Sequence, residues 1–319
     1  MKKTLLSLVG LVLVLSLALA GCGGAANNEG NTPGNQNQTN QSGNVQNEDE
    51  QNQESEQPGG DKNITLAYVA WDSEIASTNV VATILEERLG YNVEMLQVDN
   101  GPMWQGIADG SADAMVAAWL PGTHGNYYEE LKDSFEDLGE NLEGAKIGLV
   151  VPSYMDITSI EDLADPEVAA QFEGQITGIE SGAGVMLATE NAIAEYGLND
   201  MNLVASSSGA MAQVLQDKYE AQEPVVVTGW TPHWKFAAMD LKYLEDPKKV
   251  YGEAEHIHTI VRLGLGDDMP DAYAFLDKFY WTPEDMAEVM IDIQDGMDAR
   301  EAAKKWIDEN PEKVDAWLE

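Results

Sequence analysis

Three tryptophans stand where apolar, strand-like runs of this sequence come to an end. Trp71 closes the run ITLAYVAW, Trp119 lies near the end of ADAMVAAWL, and Trp230 closes EPVVVTGW. The faces of indole rings attract diffuse positive charge, and rings of this size are costly to leave exposed to water. These positions indicate either a binding site for a small molecule or packing in the core.

Two further features fall at predicted strand ends. His124 follows Trp119 in WLPGTH, and residues 182–185 separate the run QITGIE from a helical pattern. The free N–H groups and the dipole at a helix N-terminus attract anions. Because ligands of open α/β sheets bind beyond the carboxyl ends of the strands, we expect these features to lie beside the tryptophans.

Other motifs favour structural roles. SGAGVM lacks the Lys-Ser/Thr pair of a phosphate-binding loop, and the serines of ASSSGAM are better explained as helix caps than as nucleophiles. His256 and His258 share one face of a predicted strand, where packing or ion pairing is favoured over metal binding. No carboxylate pair or cysteine–histidine pair has catalytic spacing. The sequence therefore predicts a binding protein, with neither catalytic residues nor a metal or cofactor.

The candidate residues depend on an alternating order of strand-like and helical patterns. This alternation predicts an α/β fold with parallel sheets and helices on both faces. Helical patterns dominate after Pro270, and three tryptophans there have apolar neighbours that favour the core: Trp281, Trp306 and Trp317. The predicted strands cover residues 64–71, 91–99, 112–120, 145–152, 175–180, 201–207 and 223–230, and the predicted helices cover 76–90, 103–110, 184–198 and 209–221.

The first part of the chain predicts export and anchoring. A basic start, MKK, precedes an apolar run at residues 4–20, which is typical of a secretory signal peptide over residues 1–21. The following LAGC resembles the lipobox of bacterial lipoproteins, whose cysteine is acylated; Cys22 is the only cysteine, so no disulfide can form within the chain. Residues 22–61 are rich in Asn, Gln, Gly, Ser and Glu, which predicts a disordered tether.

The charge of the chain excludes one class of partner. Its 319 residues carry 17 Lys and Arg against 56 Asp and Glu, a net charge of −39. Nucleic acid is excluded, because the phosphate backbone attracts the opposite sign. The acidic residues continue through the globular part, which predicts a strongly acidic surface compatible with a saline or alkaline medium.

Several long motifs together resemble one family, the glycine betaine/proline betaine-binding lipoproteins of bacterial osmoprotectant ABC importers. The similarity runs from about residue 63 to the C-terminus. It implies a two-lobed substrate-binding protein of the type II periplasmic kind, in which each lobe is a mainly parallel sheet flanked by helices. Lobe 1 would comprise residues 62–150 plus 257–319 and lobe 2 residues 151–256, with the ligand in the cleft between them. The motifs are LAYVAWDSEIASTNV, GPMWQGIADGSADAMVAAWLPGTH, GLVVPSYM, SGAGVM, SSSGAM and VVVTGWTPHW.

The resemblance also implies a role for each candidate residue. A quaternary ammonium has no N–H to donate, so aromatic faces rather than hydrogen-bond acceptors can select it. By the family's pattern, the trimethylammonium group would be enclosed by Trp71, Trp119 and Trp230, and the carboxylate would be held by His124 and the backbone amides of Gly184 and Val185. His233 and Trp234 fall beyond the matched positions and are assigned to the surrounding shell or the core.

The implied function is that of an extracytoplasmic receptor, a monomer anchored to the cell membrane through Cys22. It would deliver glycine betaine, and proline betaine as a related ligand, to the permease and ATPase subunits of an ABC importer for osmoprotection. A choline or carnitine receptor is the alternative within the class, although choline would leave His124 without a carboxylate to bind. An enzyme acting on quaternary amines and a structural surface lipoprotein are alternatives from other classes.

Overall fold

A computed structural model describes residues 62–319; the predicted signal peptide, Cys22 and the predicted tether lie outside this range. Within it, nine strands form a mixed sheet and no helix is both long and apolar enough to cross a membrane. The strands are β1 (Asn63–Tyr68), β2 (Asn92–Gln97), β3 (Ala114–Leu120), β4 (Phe135–Pro152), β5 (Gln175–Thr177), β6 (Asn202–Val204), β7 (Val227–Thr231), β8 (Leu241–Tyr243) and β9 (Glu255–Arg262).

Helices join most of these strands and make up the end of the chain. They are α1 (Asp72–Glu87), α2 (Asn100–Asp109), α3 (Gly125–Leu131), α4 (Pro166–Gln171), α5 (Gly184–Tyr196), α6 (Ser208–Glu220), α7 (Lys235–Ala238), α8 (Leu265–Asp268), α9 (Pro270–Lys278), α10 (Pro283–Gln294), α11 (Ala299–Glu309) and α12 (Pro311–Leu318), with a 3₁₀ turn at Ile160–Ala164. The predicted α/β class is confirmed.

Two parallel groups of strands are joined by antiparallel ones. The first group places β1 between β2 and β3, and the second places β5 between β6 and β7. Strand β9 runs antiparallel to β3, and the long strand β4 links the two groups. The first part of β4 pairs with β9, whereas residues from Lys146 onward pair with β7 and β8.

The antiparallel strands are where the structure departs most from the predicted pattern. Strand β4 begins at Phe135, ahead of the run predicted at 145–152, and β8 has no predicted counterpart. The early part of β4, FEDLGENLEG, breaks the alternation of apolar and polar residues because its register with β9 shifts three times. Gly139 and Gly144, both with positive φ, lie at these irregularities.

One buried core runs through both groups of strands. Every residue of β3 is buried, which accounts for its unbroken apolar sequence. Helix α1 packs against α10 and α11 and buries residues along most of its length. The three tryptophans predicted as core after Pro270 are indeed buried, and their rings contact one another: Trp281, Trp306 and Trp317.

Candidate ligand-binding site

A small cavity lies where the two parallel groups of strands approach each other. All six residues predicted to bind a ligand line this cavity, together with Thr123, Ile179 and Ala183. The six are Trp71, Trp119, His124, Gly184, Val185 and Trp230. The structure thus brings the sequence candidates to one place, and their role in binding remains a prediction.

The tryptophans reach the cavity from three different elements. Trp71 lies just beyond the end of β1, where its extended backbone forms the N-cap of α1. Trp119 belongs to β3, and Trp230 belongs to β7. Because β1 and β3 are parallel neighbours, their carboxyl ends meet at one edge of the sheet, and this places the first two indoles together.

Hydrogen bonds fix two of the indoles by their edges. The Trp71 Nε1–H donates to Oε2 of Glu180 at 3.0 Å, and the Trp230 Nε1–H donates to Oγ of Ser73 at 3.2 Å. An indole held through its N–H keeps its ring faces free for another partner. We call Trp71, Trp119 and Trp230 the tryptophan cage.

His124 presents an unpaired donor in this cavity wall. Its Nδ1 accepts the backbone N–H of Trp119 at 3.1 Å, so the proton of the neutral ring lies on Nε2. Nε2 is buried and has no hydrogen-bond partner among the described residues. Burial lowers the pKa of His124 to about 3, and the nearby Ala117 carbonyl opposes this shift only in part. The ring is therefore a neutral N–H donor at physiological pH.

The N-terminus of α5 supplies further donors. Its N-cap, Ala183, makes no side-chain capping bond, and the Ala183 carbonyl accepts the N–H groups of Met186 and Leu187. The amides of Gly184 and Val185 have no acceptor among the hydrogen bonds of residues 62–319. Such amides, at the positive end of a helix, favour an anion.

Glycine at position 184 is required by a close approach of backbones. A Cβ atom at this position would collide with the carbonyl oxygen and the side chain of Thr123. The loop that carries His124 can therefore lie directly against the start of α5. This contact brings the donor of His124 and the amides of α5 to the same side of the cavity.

Glu255 holds the loop that carries His124. Its Oε1 accepts the backbone N–H groups of Gly122 at 2.5 Å and Thr123 at 2.7 Å, and its Oε2 accepts the Thr123 hydroxyl. Glu255 is only 3% exposed, and both of its carboxylate oxygens accept hydrogen bonds from this loop. A side chain at Gly122 would press on Glu255, and this explains the small residue there.

The sequence patterns do not predict the supporting carboxylates. Glu180 orients Trp71, and Asp72 accepts Nε1–H of Trp234 at 2.9 Å and the Ser208 hydroxyl at 3.0 Å. Only their positions in the sequence could have indicated these roles, since Asp72 directly follows Trp71 and Glu180 is the last residue of the run QITGIE. The carboxylate of Glu255 carried no such signal.

The residues assigned to supporting or structural roles lie outside the cavity wall. His233 and Trp234 are buried behind Trp230, with the ring of His233 4.6 Å from that of Trp230. His256 and His258 lie on one face of β9, where each faces a carboxylate. Their Nδ1 atoms are 3.3 Å from Oε2 of Glu140 and 2.9 Å from Oδ1 of Asp137, respectively.

The residues of the cavity wall could bind a ligand, but they include few groups that could take part in catalysis. In the described part of the chain, His124 is the single titratable side chain of the cavity wall, and it faces neither a nucleophile nor a second acid or base. Three indoles line the cavity together with His124 and the start of α5, which carry the unpaired N–H donors. These features fit a molecule that carries a hydrophobic cation at one end and an anion at the other.

The fold and this cavity define a solute-binding protein. A family model described as the substrate-binding domain of ABC-type glycine betaine transport systems matches residues 62–309. The chain belongs to this family, whose members serve transport rather than catalysis.

Individual relatives support this assignment with different identities and over different shares of the chain. The glycine betaine/carnitine transport binding protein GbuC of Listeria monocytogenes is 56% identical over 158 residues, which is 49% of this chain and 53% of that protein. The match therefore spans about half the length of this relative. Among solved structures, lactococcal OpuAC in complex with glycine betaine is 48% identical with a TM-score of 0.77, covering 81% of this chain and all of that one.

Two further solved structures widen the comparison. ProX of Borrelia burgdorferi, described as a glycine betaine and L-proline-binding protein, is 37% identical with a TM-score of 0.77, over 81% of this chain and 97% of that one. A choline-binding protein in complex with choline is 26% identical with a TM-score of 0.75, over 81% of this chain and 92% of that one. The predicted family and fold are confirmed.

Proposed function

We propose that this chain is an extracytoplasmic receptor that binds glycine betaine, and proline betaine as a related ligand, and delivers it to an ABC importer for osmoprotection. Its partners would be the permease and ATPase subunits of that importer. The observation that supports the proposal is that three indoles and the unpaired N–H donors of His124 and the start of α5 line one small cavity. A receptor of this kind releases its ligand chemically unchanged.

The aromatic side suits a trimethylammonium group. Each ring face attracts a cation by ~0.5–2 kcal/mol, so the three indoles of the tryptophan cage would contribute roughly 2–6 kcal/mol. A carboxylate in their place would add Coulomb attraction but would also bind Na⁺ or a lysine side chain. The cage therefore favours a quaternary ammonium over smaller, strongly hydrated cations.

The donor side suits a carboxylate. Nε2–H of His124 and the amides of Gly184 and Val185 could each donate to it, and hydrogen bonds to a charged group contribute ~1.5–3 kcal/mol. The neutral ring of His124 is ready to donate without a change of protonation. Choline, which has no carboxylate, would leave all of these donors unused.

The affinity that a small zwitterionic ligand can reach is sufficient for such a receptor. A ligand of about eight heavy atoms can contribute at most ~12 kcal/mol. Micromolar affinity, which corresponds to ~8 kcal/mol, is therefore attainable.

Calorimetry with a panel of ligands tests the proposal. Glycine betaine should bind most tightly together with proline betaine, and choline, carnitine and free proline should bind more weakly. The solved choline complex among the relatives makes choline the main competitor. Tighter binding of choline than of either betaine would contradict the proposal, and so would a ligand recovered in altered form after long incubation.

We further propose the two lobes that the family pattern implies, residues 62–150 plus 257–319 and residues 151–256. Hydrogen bonds already described would then cross the cleft, from Trp71 to Glu180, from Trp230 to Ser73 and from Ser208 to Asp72. A ligand held by both lobes would favour this closed arrangement.

We also propose that acylated Cys22 anchors the protein to the cell membrane as a monomer. The family match supports a location outside the cytoplasm, and no helix within residues 62–319 is long and apolar enough to cross a membrane. A Cys22→Ala variant should appear in the soluble fraction when cells that lack the permease are fractionated. Retention of that variant in the membrane fraction would contradict the anchor.

A further inference from the structure

A buried lysine lies directly behind one wall of the tryptophan cage. The side chain of Lys235 is 0% exposed, and its Nζ lies 4.2 Å from the ring centre of Trp230. Nζ has no hydrogen-bond partner among the described residues. Trp230 lines the cavity and Lys235 does not, so the indole connects the buried amine with the cavity.

An unpaired amine in such a place is costly to the fold. Burying an ammonium without a hydrogen-bond partner is unfavourable, and a methionine could fill the same space without the charge. The side chain instead places a titratable positive charge against a ring that would also contact the ligand's cation. This arrangement has an electrostatic consequence for any ligand in the cavity.

We propose, resting on the proposed function, that Lys235 is a specificity-determining residue whose ammonium disfavours ligands with a net positive charge. A quaternary ammonium in contact with Trp230 from the cavity would lie about 10 Å from Nζ, because each cation stands within about 6 Å of the ring centre. With an effective dielectric constant of about 20, two unit charges at this distance change an affinity by about tenfold. Choline would bear this repulsion in full. Glycine betaine would bear little of it, because its carboxylate is attracted by the same ammonium.

Among the titratable groups near Lys235, only Lys235 changes its protonation state near neutral pH. Burial lowers the pKa of Lys235 to about 7, and the charge of Asp72 on α1 opposes the shift. Burial raises the pKa of the Asp72 carboxyl, but contacts with His233, Trp234 and Ser208 outweigh it and hold that pKa below its usual range. Asp72 thus stays charged between pH 6 and pH 9.

The remaining titratable neighbours stay neutral over the same range. His233 accepts the backbone N–H of Lys235 on Nδ1 at 3.2 Å, and burial together with the charge of Lys235 lowers the pKa of His233 to about 4. Tyr243 on β8 stacks on Phe236 beside Lys235, and burial raises its pKa. Strand β7 contributes Gly229 and Trp230, which have no titratable side chain.

The sign of the effect follows from these states. Below a pH of about 7 Lys235 carries its proton and repels choline, and above this pH the amine is neutral. The ratio of the choline Kd to the glycine betaine Kd should therefore be high at pH 6 and fall as the pH rises. Glycine betaine carries no net charge, so its Kd should vary less than about threefold over the same pH range.

Competition binding against labelled glycine betaine measures this ratio. We expect the wild-type ratio to fall by about tenfold from pH 6 to pH 9. In Lys235→Met the choline affinity at pH 6 should rise by about tenfold, and the ratio should no longer depend on pH. Lys146→Met is the matched control, because Lys146 lies 4.4 Å from the ring of Tyr243 but is exposed and does not line the cavity. Its ratio should equal that of the wild type.

The outcomes separate this role from the proposed function. A wild-type ratio that stays constant between pH 6 and pH 9, while glycine betaine binds, would overturn the role of Lys235 alone, even if Lys235→Met fails to fold. The same conclusion follows if Lys235→Met changes both affinities equally. A wild-type protein that binds neither ligand would overturn the proposed function as well.

Discussion

Two groups of three tryptophans in this molecule differ in what their rings contact. The C-terminal tryptophan cluster comprises Trp281, Trp306 and Trp317, whose rings meet at centre distances of 5.7 and 6.0 Å. Within residues 62–319, no ring contact joins two indoles of the tryptophan cage. Its rings contact histidines instead, at 6.0 Å between Trp71 and His124 and 4.6 Å between Trp230 and His233.

The polar edges of the indoles differ in the same way. Trp71 and Trp230 donate their Nε1–H groups to side-chain acceptors, whereas the Nε1–H groups of Trp281 and Trp306 are buried without a partner in the described part of the chain. Side-chain hydrogen bonds thus orient two of the indoles at the cavity, whereas packing holds the indoles of the C-terminal cluster. Trp234, which lies outside the cavity wall, also donates its Nε1–H, so this difference separates the two groups of three and not every indole of the molecule.

The largest effect should come from breaking the C-terminal cluster. Trp306→Ala removes a ring that lies between two others, and substitutions of this kind cost ~3–5 kcal/mol of stability. Urea denaturation should show that loss, while the folded variant binds glycine betaine within about twofold of the wild type because none of the three rings lines the cavity. A strong loss of affinity in the folded variant would show that the two groups are coupled.

His124→Ala tests the donor side of the site. The lost hydrogen bond to the carboxylate should weaken glycine betaine by ~1–3 kcal/mol, which is about fivefold to more than a hundredfold in Kd. Residual choline binding should scarcely change, because choline offers this histidine no acceptor. Calorimetry with both ligands decides the matter, and an equal loss for choline would rule out His124 as the carboxylate partner.

Trp119→Ala tests the aromatic side. It removes one wall of the cage and admits water, so glycine betaine should bind at least ~1–2 kcal/mol more weakly, or about tenfold in Kd. Unlike the change at His124, it should weaken choline to a similar degree, since both ligands carry the trimethylammonium group. Retention of choline affinity in this variant would remove Trp119 from the cage.

The smallest effect should be that of salt on the wild-type protein. Contacts in a buried cavity are weakly screened, and glycine betaine has no net charge. Its Kd should therefore change by less than about twofold between low and high NaCl, in contrast to an exposed ion-pair site. A steep rise of Kd with NaCl would indicate that surface charges hold the ligand.

The sequence predicted the local parts of this fold better than its long-range pairing. Short apolar runs identified β1 and β3, and helical spacing of apolar residues identified α1. The sequence did not predict the early part of β4, because its register shifts interrupt the apolar pattern. It did not predict β8 either, which is only three residues long. Strand pairing across the molecule leaves no mark on local periodicity.

The same limit applies to the candidate site. Residues at strand ends could be found from position and type, and the structure gathers all six around one cavity. Glu255 could not be found, because it contacts a loop 132 residues away in sequence. Lys235 gave no signal either, since an isolated lysine near a strand end is usually exposed. Burial and distant partners are properties of the fold alone.

The hydrogen bonds that Glu255 accepts from the loop before His124 affect the thermodynamics of binding. Bonds to the Gly122 and Thr123 amides order this loop in the protein itself, so its conformational entropy is lost during folding and not when the ligand arrives. A solute with only a handful of polar atoms then needs to order little of the protein. Preorganisation by a residue that never touches the ligand thus increases the affinity available from very few contacts.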